Sequence, residues 1–186
     1  MKIGVISDTH DDHQNTTLAF DEFSRQKCEL VIHCGDWTLP STLELISRLS
    51  LEYNLEVTGV FGNMDEIDDL VISNSELIRK ITIPQTSMLE LEVDGKIIAV
   101  VHGHEEKIMK EIISGGKYNV LFTGHTHRPL TTKREFLQII NPGSVAFSES
   151  KSLGFIPTVA IYDTKTNEAK IVKLKSNKIM LPVLDD

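Results

Sequence analysis

Five short clusters in this 186-residue chain hold side chains of the kind that bind divalent metals. They are Asp8-Thr9-His10, Gly35-Asp36, Gly62-Asn63, His102-Gly103-His104 and Gly124-His125-Thr126-His127. Each follows a run of apolar residues, so each reads as a strand that ends in a tight turn. Several strand ends in a sheet can bring distant residues to one edge. Together the clusters supply imidazole nitrogens, carboxylates and an amide carbonyl, a donor set that suits a pair of divalent ions. In an extended segment residues i and i+2 point to the same side, so Asp8 and His10 can grip one ion from one strand end. His125 and His127 repeat that spacing. Taken one at a time the clusters have plainer readings. Asp8-Thr9 could be a helix cap with an incidental surface His10. His125 and His127 could be one buried, hydrogen-bonded ring and one exposed ring. Gly35-Asp36 is a common turn pair. Recurrence after five separate strands favours the metal site. His33, mid-strand beside Cys34, reads as a core histidine or a support for a ligand rather than a ligand itself, and His13 as a loop residue.

The elements that must position these clusters fall into two halves. Residues 2–7 read as a buried strand, 15–27 as a helix, 29–34 as a second strand, and 56–61 as a third. Between the last two lies a helix from Thr42 to about Ser50, with Ser41 as N-cap and Glu44 completing a capping box. This β-α-β-α-β order predicts parallel strands with helices on the faces. Ligands of such sheets gather beyond the carboxyl ends of the strands, where Asp8, Asp36 and Asn63 lie. In the second half, residues 88–93 and 96–101 flank Asp94-Gly95, a strong hairpin signal. A helix from Glu105 to Ser114 closes at Gly115-Gly116, and a strand follows at 119–124. Further strands are expected near 135–140, 158–163 and 168–174, the last two joined around Thr164-Lys165-Thr166-Asn167. The sum is a two-sheet β-sandwich flanked by helices.

Size and composition bound the function. At 186 residues the chain fits one domain, residues 1–186. A formal charge of −8 argues against non-specific binding to nucleic acid or to an anionic membrane. It leaves phosphorylated substrates open, because bound metals can reverse the local potential. Cys28 and Cys34 make no disulfide framework and read as reduced thiols of a cytoplasmic chain. No signal peptide is evident at Met1–Ser7, and no apolar run reaches the length of a membrane span.

In their order, Asp-x-His, Gly-Asp, Gly-Asn, His-Gly-His and Gly-His-x-His, the clusters resemble the calcineurin-like metallophosphoesterase superfamily. The short chain and Asn141-Pro142-Gly143-Ser144 are similar to its small single-domain YfcE-type phosphodiesterase branch. The resemblance implies an α/β (α+β) fold of four layers, α-β-β-α, with two packed mixed sheets flanked by helices. It also implies two divalent ions, with Mn the first expectation and Ni, Fe, Co or Zn compatible with the donors. Asp8, His10 and His127 would hold the first ion, Asn63, His102 and His125 the second, and Asp36 would bridge them. A hydroxide shared by the two ions would then attack a phosphodiester. Where many members have Gly-Asn-His-Asp/Glu, this chain reads Gly62-Asn63-Met64-Asp65. Met64 cannot donate a proton, so the leaving-group acid must be sought elsewhere. His104 is the first candidate and Asp65 the second, the latter only if burial raises its pKa. Plainer roles are a supporting hydrogen bond for His104 and a turn or cap for Asp65 before Glu66–Leu70. The expected partner is a small phosphorylated compound, and the resemblance makes a homo-oligomer plausible. A non-catalytic interaction module on the same fold, a phosphomonoesterase and a nuclease are the competing readings; the acidic charge and the absence of an added DNA-binding domain disfavour the last. The segment from Asp65 to Thr86 is expected to form a wall beside the second ion.

Overall fold

The computed structural model describes residues 1–65, 81–82, 87–146 and 156–175. The wall expected at 65–86 therefore lies almost wholly outside the described residues. Strand β1 (Lys2–Ile6) is apolar on both faces: Ile3 and Val5 point into one buried cluster and Ile6 into another. A strand buried on both sides belongs at the centre of a layered sheet. β1 pairs in parallel with β2 (Leu30–His33), which pairs with β3 (Glu56–Gly59), which pairs with β4 (Ile81–Thr82). The second sheet is built from β5 (Met88–Val93), β6 (Lys96–Val101), β7 (Val120–Phe122), β8 (Leu130–Arg134) and β9 (Leu137–Asn141). Its order is β5-β6-β7-β9-β8, with β6, β7 and β9 parallel and antiparallel strands at both edges. Strands β10 (Thr158–Asp163) and β11 (Glu168–Lys173) extend the first sheet on the far side of β1, so its order is β11-β10-β1-β2-β3-β4.

Side-chain alternation stacks the layers. Ile3, Val5, Ile32, Ile98, Val100, Phe122 and Tyr162 fill the space between the sheets. Ile6, Val31 and Val57 face α1 (His13–Arg25) and α2 (Pro40–Tyr53), where they meet Phe20, Phe23, Leu43 and Ile46. Ala99, Val101, Leu121 and Ile139 face α3 (Glu106–Ser114) through Ile112. Two mixed sheets flanked by three helices among the described residues are the four layers α-β-β-α expected. Cys28 and Cys34 belong to clusters on opposite faces of the first sheet, and both are free. Burial pushes the Cys28 thiol up to about 12 and Cys34 well above the ordinary value, so neither is a ready thiolate at neutral pH. No helix among the described residues is long and apolar enough to cross a membrane.

Three expectations need correction. Helix α1 begins at His13, capped by Asp12, whose Oδ1 accepts the Asn15 N–H at 3.0 Å, so His13 opens a helix rather than sitting in a loop. α2 begins at Pro40, not after a Ser41 cap: Leu39 is the N-cap and offers no side-chain bond. The cap comes from elsewhere in the chain, because Asp11 Oδ1 accepts the Leu39 N–H at 3.0 Å and the Thr42 hydroxyl at 2.8 Å. Strand β8, with most of its side chains exposed, was not expected at all.

Candidate metal centre

Six parallel strand ends, three from each sheet, meet at one edge of the molecule. β1, β2 and β3 deliver Asp8, Asp36 and Asn63; β6, β7 and β9 deliver His102–His104, His125–His127 and Asn141–Ser144. Backbone bonds continue the ladders into the turns: Asp8 N–H to Gly35 O and Thr9 N–H to Asp36 O, both 3.0 Å, and Gly124 N–H to His102 O at 2.9 Å. The halves are stitched across the sheets. His125 N–H donates to Asp8 Oδ2 at 3.1 Å, Val145 N–H to Ser7 O at 3.2 Å, and Ser144 Oγ to Asp8 O at 2.9 Å.

The donor atoms crowd as metal ligands do. Asp8, His10 and His127 offer atoms all within 4.8 Å of one another, and so do Asp8, Asp36 and His102. The Nε2 atoms of His10 and His127 face each other at 3.3 Å. With metal–ligand bonds of about 2.0–2.2 Å, two donors on neighbouring corners stand about 3–3.5 Å apart. Asp36 spans the cluster, with Oδ2 3.6 Å from His10 Nε2 and Oδ1 3.3 Å from His102 Nε2. Asn63 Oδ1 lies 3.1 Å from His102 Nε2, and the His125 ring centroid 5.1 Å from that of His102. Asp8 gives the sharpest test of fit. Its Oδ2 is occupied by the Ser7 hydroxyl and the His125 N–H. Its Oδ1 is buried with no donor aligned to it, 3.1 Å from His127 Nε2 and 3.9 Å from His10 Nε2. A buried carboxylate oxygen left open toward imidazole nitrogens fits a cation ligand.

The turns are shaped around these atoms. Five of the seven candidate ligands, Asp8, His10, Asp36, His125 and His127, have φ between 38° and 67°, the left-handed region. Asp and His tolerate it better than most residues, and such conformations concentrate at functional sites. At Gly62 and Gly124 the backbone approaches closely. A Cβ on Gly62 would strike Asp36 Oδ1 and stand 2.6 Å from the Asp36 backbone N; one on Gly124 would strike Ser7 Oγ and stand 2.8 Å from Asp8 Oδ2.

Without a metal, the carboxylates act on the histidines. The Asp8 carboxylate, its Oδ1 3.1 Å from the ring, favours the charged imidazolium and raises the pKa of His127 above its ordinary 6.5. Burial works to lower His102, but its bond to Asp36 and the charges of Asp36 and Asp8 outweigh this and the net shift is upward. His125 moves the other way, lowered by burial and by His102. A bound metal needs neutral imidazole. Protons would therefore begin to compete with a metal at His102 and His127 above pH 6.5, and the affinity for a divalent ion such as Mn is expected to decline as pH falls from 8. The stability linkage has the opposite sign. These two groups have raised folded values, so their contribution to the metal-free fold is full below about 6.5 and lost as pH rises through the raised values. Mn titrations between pH 6 and 8 check this; an affinity flat down to 6.5 would refute it.

The two candidate acids are placed differently. His104 is exposed, its ring centroid 5.4 Å from that of His102 and 6.2 Å from that of His125. Asp65 is drawn inward: its Oδ2 accepts the N–H groups of Asp36 at 3.0 Å and Gly62 at 2.7 Å, and its Oδ1 accepts Thr38 N–H at 2.7 Å. Burial raises its pKa, those bonds oppose the rise, and the net shift is upward. Two supports escaped the sequence reading. Ser7 lacked any signal. Asn141, noticed only as part of a motif, donates from Nδ2 to Gly124 O at 2.7 Å and to Thr126 Oγ1 at 3.2 Å, and so holds the His125–His127 turn.

Comparison with known proteins agrees with the geometry. The Calcineurin-like phosphoesterase superfamily domain matches residues 1–167. The phosphodiesterase MJ0936 of Methanocaldococcus jannaschii is 30% identical over 181 residues, covering 94% of this chain and 100% of that one. A solved archaeal phosphodiesterase, 30% identical, superimposes with a TM-score of 0.79 over 94% of this chain and 100% of its own. YfcE, a phosphoesterase from E. coli, shares the fold at 19% identity and a TM-score of 0.66, with the same coverage. A profile spanning all five candidate-ligand turns and a full-length relative at that identity leave one assignment: the chain belongs to the calcineurin-like phosphoesterase superfamily.

Proposed function

We propose that the protein is a phosphodiesterase that works with two divalent metal ions, manganese foremost. Asp8, His10 and His127 hold one ion, Asn63, His102 and His125 the other, and Asp36 lies between them. The supporting observation is that Asp8 and Asp36, 0% and 2% exposed, have only histidines as ion-pair partners among the described residues. Two buried carboxylates side by side are costly unless cations share the space. The full-length relative named as a phosphodiesterase adds the reaction class.

When bound, such a pair of ions lowers the pKa of a shared water toward neutrality and neutralises charge on phosphoryl oxygens. The chain's own groups set the geometry. Asp8 Oδ1 and both Asp36 oxygens face the cluster; the Ser7 hydroxyl and the His125 N–H hold Asp8 through its Oδ2, and the Met64 N–H donates to Asp36 Oδ1 at 3.0 Å. His104, exposed at the rim, meets the substrate and gives a proton to the leaving oxygen. Asp65 fits a brace better than an acid: its oxygens already receive three backbone N–H groups, which favour the ionised carboxylate. The substrate is a small phosphorylated compound, since a chain of charge −8 lacks the electrostatic footprint of a nucleic-acid binder.

The test is a turnover screen on aryl phosphodiesters and phosphomonoesters with Mn, Ni, Mg or a chelator. Mn-dependent diester hydrolysis abolished by chelation is expected. A protein that bound Mn yet cleaved no diester would overturn the activity; one that bound no metal would overturn the site. His104→Ala should slow diester turnover by roughly 10²–10⁴-fold with metal content unchanged. Metal loss in that variant would instead make His104 a ligand.

A further inference from the structure

His33 sits three residues before Asp36, fully buried, and stands outside both candidate metal-ligand groups found among the described residues. Its ring bonds are nevertheless complete. Nδ1 accepts the Gly35 N–H at 3.1 Å. A backbone N–H can only donate, so Nδ1 carries no proton and Nε2 carries it. Nε2 lies 3.2 Å from Thr9 Oγ1, which donates in turn to Asp36 O at 3.1 Å. The Thr9 hydroxyl thus accepts from His33 and donates to Asp36, and each of its bonds fixes the direction of the next.

The groups on this chain belong to ligand turns. Thr9 lies between Asp8 and His10, whose φ values are 52° and 38°; Gly35 and Asp36 have φ of 96° and 60°. A third turn joins through stacking. The His33 ring lies on Trp37 at a centroid distance of 3.7 Å and 15° between planes, and Trp37 Nε1 donates to Val60 O at 2.9 Å, three residues before Asn63. Bonds and ring stack therefore run beneath the first-sheet half of the metal centre from a single buried imidazole.

We infer that His33 is a positioning residue for metal binding, setting the separation of Asp8, His10 and Asp36 through the Gly35–His33–Thr9–Asp36 chain of hydrogen bonds. This rests on the metal-site reading above, and the two can fail separately. Removing a hydrogen-bond partner that orients a metal ligand typically costs about 10–100-fold in metal affinity. The geometry makes the direction of each effect specific. His33→Asn keeps an acceptor for Gly35 N–H in the place of Nδ1 but cannot reach Thr9. Thr9→Val removes the link from the other side. Thr9→Ser restores the hydroxyl.

The experiment titrates Mn into metal-free protein by calorimetry and records thermal melting of each metal-free form. His33→Asn and Thr9→Val should each weaken Mn binding by about 10–100-fold. The double variant should bind no worse than the poorer single one, because both break the same chain. Thr9→Ser should match the wild type. A wild type that binds Mn alongside variants whose affinity stays within about threefold of it would overturn the inference, whatever their melting temperatures. Additive losses in the double variant would overturn it too. A wild type that takes up no Mn would overturn the site itself. Should His33→Asn fail to fold, Thr9→Val and Thr9→Ser decide the question alone.

Discussion

Asp36→Asn is expected to strip the protein of diester hydrolysis and of most of its bound metal. The side chain is 2% exposed and splits its oxygens between His10 and His102. An amide of the same shape keeps one oxygen, able to accept the Met64 N–H as Oδ1 now does. It loses the charge and the second acceptor, and it turns an NH₂ group toward an imidazole nitrogen. Loss of a supporting partner costs about 10–100-fold in metal affinity, so loss of the ligand should exceed about 100-fold. Circular dichroism should show the fold intact; metal analysis and initial rates at saturating Mn measure the rest. Wild-type turnover in this variant would end the two-metal reading.

Gly62→Ala should show the second large effect, through sterics alone. The new methyl group would press on Asp36 Oδ1 and stand 2.6 Å from the Asp36 backbone N. Backbone cannot rotate aside, and Asp65 pins both sides of the contact through Asp36 N–H and Gly62 N–H. Inserting a methylene into a packed site commonly costs about 1–3 kcal/mol. A lower urea midpoint is expected together with a disproportionate loss of Mn affinity, since the displaced group is itself a proposed ligand. An unchanged midpoint and affinity would mean that the turns yield more easily than their bonds suggest.

The strands that carry the centre were legible because both their faces are buried. Residues 3–6, 30–32 and 120–122 are continuous apolar runs, and each is followed within four residues by one that can ligate: Asp8, Asp36 and His125. The Asp94-Gly95 hairpin was legible from turn chemistry. What escaped depends on tertiary partners. Strand β8 reads Leu-Thr-Thr-Lys-Arg, an edge strand with its side chains largely in solvent, and so presents no alternation to detect. The start of α2 was misplaced because Asp11, from a different turn, caps it. Nor can sequence show three backbone N–H groups converging on the carboxylate of Asp65. Nor could it show the left-handed backbone of Asp8, His10, Asp36, His125 and His127, where local preference gives way to the site.

The division of the donors between the two sheets has a mechanical consequence. Neither sheet owns the cage, so its width is a gauge of how the sheets sit on each other. Ile3, Ile32, Val100 and Phe122, packed between them, act as the shims that set that gauge. Trimming a shim would let one jaw settle toward the other, and the injury would surface at the far end of the strands as altered choice among ions of different radius.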